Sequence, residues 1–263
     1  MDKKRILFLF LCILIGIFLS TMGGGKEKYM ALKMETTGIV FDFGTTAPRV
    51  SGYTQSTHLF WLYTTVNMSS GAPSVHQISL RGLGGSNNGW QYAWNPNVSG
   101  QLQLSINWTT TDGLWRAPTV STNQMYMITI SYNGSSTSNT PVVTYNKVSQ
   151  TVTTVTTPVG SYGTADGGLF QLGDDIGILY SYAIFNRILS SDEIAEAYNN
   201  KLAIPNKNGL IFYPTLIGAG GLQNFDGVTL SASNPIVDSI DGLVGTPNGS
   251  GVVGVADNFL NFK

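Results

Sequence analysis

The chain has 263 residues, a formal net charge of −1 and only 11% charged residues, against roughly 25% in an ordinary soluble domain. That balance excludes a nucleic-acid-binding protein, which needs clustered Lys and Arg, and a hydrophobic content of 42% excludes disorder driven by charge excess. A single cysteine, Cys12, excludes a disulfide framework and a cysteine-based zinc site, and His58 and His76 are the only histidines.

Asp2-Lys3-Lys4-Arg5 precedes an apolar run from Ile6 to Leu19, followed by Ser20, Thr21 and Gly23-Gly24-Gly25. Basic, then apolar, then small residues are the order of a secretory signal. The run is shorter than the roughly 20 residues that cross a bilayer. Leu11 stands before Cys12 where a lipoprotein signal wants a small residue. An extracellular or cell-surface location is therefore expected, with membrane attachment only if residues 6–19 are retained. In the alternative, Gly23–Tyr29 is encoded by a purine-rich ribosome-binding stretch, the chain starts at Met30, and residues 1–29 are a non-native extension.

From residue 36 short alternating runs are separated by turn chemistry, which predicts an all-β sandwich. The predicted strands are Gly38–Phe43, Leu59–Val66, Gln77–Leu80, Trp90–Trp94, Gln101–Trp108, Tyr126–Tyr132, Val142–Lys147 and Gly177–Phe185. Along Gln101–Trp108, Leu102, Leu104, Ile106 and Trp108 share one face, while Gln101, Gln103, Ser105 and Asn107 share the other. One side is buried and one is wet, the pattern of an antiparallel sheet. The Thr-rich stretch Gln150–Pro158 reads as an edge strand or a surface loop. One helix is predicted near 190–200: Ser190 and Glu193 have capping-box spacing, and Ile194, Ala197 and Tyr198 then fall on one face.

The run Ala183-Ile184-Phe185-Asn186-Arg187-Ile188-Leu189-Ser190-Ser191-Asp192-Glu193-Ile194 resembles the closing strand, turn and capping helix of laminin-G-like domains. These belong with the concanavalin-A-like lectin and glucanase jelly rolls. Ile39–Gly44, Leu59–Val66, Met125–Gly134 and Val142–Asn146 resemble the family's earlier strands in the same order. The resemblance covers roughly residues 36–204 and implies a two-sheet antiparallel jelly roll over 30–204. It says little about activity, because the fold hosts lectins, adhesion modules, glucanases and virion proteins. Two departures stand out. Tyr180 and Ser181 occupy the place where many relatives carry an acidic residue. Segments that usually open such a domain, Gly209–Pro214 and Asp238–Gly242, come after the helix. Residues 205–263 are thus expected to complete the sandwich, or to form a small appended module.

Fold-family glucanases need carboxylates at short spacing on one strand. After residue 35 the only glutamates are Glu193 and Glu196, both on the predicted helix, so no enzyme activity is expected. Trp90, Tyr92 and Trp94 alternate, and two readings stay open: a core stripe or a row of rings for stacking on sugars. Trp115 lies in loop-like sequence and is expected as an exposed contact. Asn87 and Asn88 are candidate partners for sugar hydroxyls, or turn formers. Asp166, Asp174 and Asp175 are a candidate Ca²⁺ site with hard oxygen ligands, or solvated turn residues. The histidines read as strand-end residues. The expected function is a lectin-like or adhesive binding module for a glycan or a surface protein. The alternative is a virion decoration or appendage protein that packs as a homo-oligomer or against other virion subunits. A glycan-active hydrolase stands third.

Overall fold

The computed structural model describes residues 30–34, 40–44, 53–69, 76–81, 89–162, 170–174, 176–200, 204, 206–214, 236–237, 240, 244–248 and 253–256. The N-terminal apolar run, Asn87, Asn88, Asp166 and Asp175 lie outside them. Among the described residues no helix is long and apolar enough to cross a membrane.

The strands in chain order are β1 (Met30–Met34), β2 (Val40–Asp42), β3 (Gln55–Thr64), β4 (His76–Arg81), β5 (Trp90–Asn95), β6 (Gln101–Ile106), β7 (Gly113–Ala117), β8 (Gln124–Asn133) and β9 (Val142–Tyr145). There follow β10 (Val148–Ser149), β11 (Thr153–Thr156), β12 (Phe170–Leu172), β13 (Gly177–Phe185), helix α1 (Ser191–Asn199), β14 (Leu210–Phe212), β15 (Ile236–Val237), β16 (Val244–Asn248) and β17 (Val253–Ala256). They form two antiparallel sheets. One has eight strands in the order β10-β9-β8-β3-β13-β1-β17, with β14 also paired to β13; the other has nine, in the order β11-β7-β6-β5-β4-β12-β2-β16-β15. This is a jelly-roll sandwich with one α-helix among the described residues, where the sequence predicts it. Thr153–Thr156 takes the edge position of the nine-stranded sheet.

The tail strands hydrogen-bond into both sheets: β14 onto β13, β16 onto β2 and β17 onto β1. In the last of these ladders, Met30 lies opposite Ala256.

The main core lies between the sheets. Phe60, Leu62, Ile128, Ile130, Tyr182 and Ile184 from the eight-stranded sheet meet Trp90, Tyr92, Trp94, Leu104, Trp115 and Phe170 from the other. Each such side chain contributes about 1.5–3 kcal/mol by leaving water. A second cluster sits on the opposite face of the eight-stranded sheet, where Leu59, Trp61, Met127, Tyr180 and Phe185 pack under Ile194 and Ala197 of α1. One strand serves both clusters through an irregularity. The β13–β3 register shifts between Leu179 and Ser181, so Leu179 and Tyr182 both enter the main core while Tyr180 faces the helix. Strict alternation would have placed Tyr180 and Tyr182 on one side.

The closing turn is tied down from several directions. The Ser190 hydroxyl accepts from the Glu193 backbone N–H, and the Glu193 carboxylate accepts from that of Ser190, completing the capping box. Arg187 donates Nη1–H to Glu193 Oε2 at 2.7 Å and Nη2–H to Oε1 at 2.6 Å. The Thr57 hydroxyl of β3 donates to the Arg187 carbonyl and accepts from the Leu189 N–H. Turn, helix and sheet are thus one hydrogen-bonded unit.

Candidate functional site

The structure turns the sequence-predicted aromatic residues inward. Trp90, Tyr92 and Trp94 of β5 belong to the main core, with Trp94 fully buried, so the core reading of that stripe holds. Trp115 corrects the expectation of an exposed contact. It lies on β7, opposite Leu104 of β6, and is 1% exposed. Its ring folds back over Gly113, where a Cβ would come within 2.0 Å of the indole. Only glycine leaves room for that packing. None of these four rings faces outward for a sugar to stack on.

His58 also departs from the strand-end reading. It sits mid-strand on β3, buried, with its ring edge-on to Trp90 and Tyr92. Its Nδ1 is 2.8 Å from the Tyr182 hydroxyl, which donates to Ser79 Oγ; Trp90 Nε1–H donates to the same oxygen. With the Tyr182 hydroxyl donating to Ser79, His58 carries its own proton on Nδ1. Burial pushes its pKa down from 6.5 to about 3, so the imidazole is neutral at pH 7. The chain of hydrogen bonds joins the two sheets and is sealed between them.

Of the candidate calcium ligands, Asp174 alone is described, just beyond β12. Among the described residues no three His, Cys, Asp or Glu side chains come together as a metal site.

A polar surface stands on the other side of the aromatic stripe. Because β6 and β7 bury alternate residues and β5 turns Trp90, Tyr92 and Trp94 to the core, the intervening ones lie in register on the other face of the nine-stranded sheet. One row runs Thr153, Arg116, Gln103, Ala93 and Gln77 from β11 to β4. The next holds Leu114, Ser105, Gln91, Gln171 and Asp42, on β7, β6, β5, β12 and β2. Asn95 and Gln101 pair in a third. Neighbours in a row are about 4.8 Å apart and rows about 6.8 Å apart, the pleat spacing.

The side chains are held partly by each other. Gln91 Nε2 donates to Gln77 Oε1 at 3.3 Å, and Asn95 Nδ2 donates to Gln103 Oε1 at 3.2 Å. A primary amide has two donors and an acceptor oxygen with two lone pairs, so one such bond leaves capacity for a ligand. Gln77 and Ala93 are buried in the middle, while Gln91, Gln103, Ser105 and Arg116 remain part-exposed around them. Asp42 Oδ1 accepts from the Gly44 backbone N–H at 2.7 Å, which commits that carboxylate to a turn. What the face offers is directional hydrogen bonding from amides, with the Arg116 guanidinium and a small apolar area at Leu114.

The sequence signals half of this surface. The outward Gln101, Gln103 and Ser105 follow from alternation on β6, and Gln91 and Ala93 from β5. Leu114 and Arg116 do not, because β7 is too short to be distinguished from a loop.

No family model matches the chain, and no curated protein does. Among solved structures it is similar to a heptameric SAP-like pentraxin from Limulus polyphemus, with a TM-score of 0.51 and 11% identity over 89% of this chain and 98% of that one. That likeness is one of fold. The binding domain of botulinum neurotoxin serotype D matches with a TM-score of 0.45 and 14% identity, over 80% of this chain and 52% of that one. This chain therefore corresponds to about half the toxin domain. The CBM40 domain of the Ruminococcus gnavus IT-sialidase matches with a TM-score of 0.45 and 10% identity, over 65% of this chain and 99% of that domain.

Proposed function

We propose that this protein is a non-catalytic binding module, displayed outside the cell or on a virus particle, that holds a carbohydrate on the outward face of its nine-stranded sheet. One observation carries the reading: Gln77, Gln91, Gln101, Gln103, Ser105 and Arg116 lie in register on a single sheet face whose reverse is packed with tryptophan and tyrosine. The rigid core fixes the strands, and the amides then present a pre-arranged grid to a polyhydroxylated ligand. The closing turn and helix at Asn186–Asn199 support a laminin-G-like member of the jelly rolls.

Glycan-array binding by the wild type and by the Gln91→Ala and Gln103→Ala variants tests the proposal. Binding should fall about tenfold in each variant while the melting temperature stays close to wild type. Absence of binding to every glycan would remove the proposal. A structural role in subunit packing is the second reading, favoured by exposed Val148 on edge strand β10 and exposed Val155 on edge strand β11. Sedimentation equilibrium separates the two, since packing through these edges requires concentration-dependent self-association.

A further inference from the structure

Arg116 stands apart from the amides around it. On the outward row it lies between Thr153 and Gln103, and neither neighbour can neutralise a guanidinium. Asp42, the carboxylate on the adjacent row, is on β2, five strands away across the sheet. The Nε–H of Arg116 is shielded from solvent and has no acceptor among the described residues. A buried donor without an acceptor costs free energy, more so on a charged group. A planar fork of N–H donors is the geometry that a carboxylate matches with two parallel hydrogen bonds.

Resting on the carbohydrate reading of this face, we infer that Arg116 is the anchor for a carboxylate-bearing saccharide. Its ligands are acidic glycans built from uronic or related sugar acids. The carboxylate would accept from the outer N–H groups of the part-exposed Arg116 guanidinium. Hydroxyls of the same residue or its neighbours would meet Gln103 and Gln91, and Leu114 offers an apolar ledge for a ring's C–H side. The low net charge of the chain provides little long-range attraction for polyanions, so discrimination has to come from this local pairing.

The experiment compares short oligogalacturonate, alginate and hyaluronan fragments with the methyl esters of the same fragments, which keep the backbone and lose the charge. Isothermal titration at low and moderate salt should show the acids binding about tenfold or more tightly than the esters. That preference should shrink as salt rises. In Arg116→Gln, with folding verified by its thermal melt, the acid-to-ester ratio should fall to about one, and Arg116→Lys should restore part of it. Equal binding of acid and ester by the wild type, or a preference that survives Arg116→Gln, overturns the anchor while leaving the carbohydrate function standing. Binding to neither, together with no binding to uncharged glycans, overturns both. Poly-L-glutamate binding as tightly as the acidic saccharides overturns the saccharide assignment.

Discussion

Lys147 holds its ammonium 5.0 Å from the centre of the Tyr198 ring, and Tyr198 in turn stacks on Trp61 at 5.7 Å with the planes 17° apart. A residue of the β9–β10 hairpin thereby clamps helix α1 against β3. Asn146 and Lys147 both have positive φ, 48° and 62°, as a two-residue type I′ turn requires. Asn is at home there, but Lys carries a strain that glycine would not. The cation–π contact explains why a long cationic side chain occupies a glycine position.

Lys147→Ala should therefore destabilise the protein by about 0.5–1 kcal/mol, since it keeps the strained backbone and loses the ring contact. Lys147→Gly should be close to neutral, because relief of the turn offsets the lost contact. Urea denaturation of the two variants measures the difference. Equal losses would show that the ring contact and the strain do not oppose one another.

The Arg187–Glu193 pair sets an acid limit. Hydrogen bonds from Arg187, then from the Ser190 backbone, hold the Glu193 carboxyl down from 4.5 to about 2. A depressed carboxylate stabilises the fold above its unfolded-state value and stops doing so as pH falls through the folded one. The contribution should be intact above pH 4.5 and disappear towards pH 2. Glu193→Gln should be less stable than wild type at pH 7, with a flatter stability profile over that window. Chemical denaturation at a series of pH values reads this directly.

His58 acts over a higher range and by a different cause. Its pKa falls to about 3 because burial penalises the charged ring, so the unfolded chain takes up a proton that the folded chain refuses. Stability is full above pH 6.5 and declines as pH drops towards 3, by on the order of 5 kcal/mol in total. His58→Phe should remove this slope, even if the new side chain costs stability at neutral pH. A wild-type melting temperature unchanged between pH 7 and pH 4 would contradict the assignment.

Removal of residues 205–263 strips β14, β16 and β17 from their partners β13, β2 and β1. A fragment of residues 30–204 should be insoluble, or should lack a cooperative thermal transition. A soluble fragment with a sharp melt would show that the tail is an independent addition.

The fold was legible in the sequence wherever a local rule was strong enough. The alternation along Gln101–Ile106, the capping box at Ser190 and Glu193, and the closing strand Gly177–Phe185 all declare themselves within a few residues. What did not declare itself depends on distant partners. Gly113–Ala117 is a strand because β6 and β11 flank it, and its glycine reads as a turn until Trp115 is seen folded over it. His58 is central because Trp90 and Tyr92 of β5 and Tyr182 of β13 enclose it. The outward amide face was hidden for a similar reason. Aromatic residues attract attention in a sequence, whereas glutamines on separate strands become a surface only when the register aligns them.

The pairing of Met30 with Ala256 has a temporal consequence. During synthesis β1 is made before both of the strands it pairs with, β13 and then β17. It has neither partner until β13 is synthesised, and only one until β17 follows. Until β17 is made that margin stays uncovered and adhesive, and closure by so remote a contact makes slow, chaperone-sensitive maturation the natural outcome.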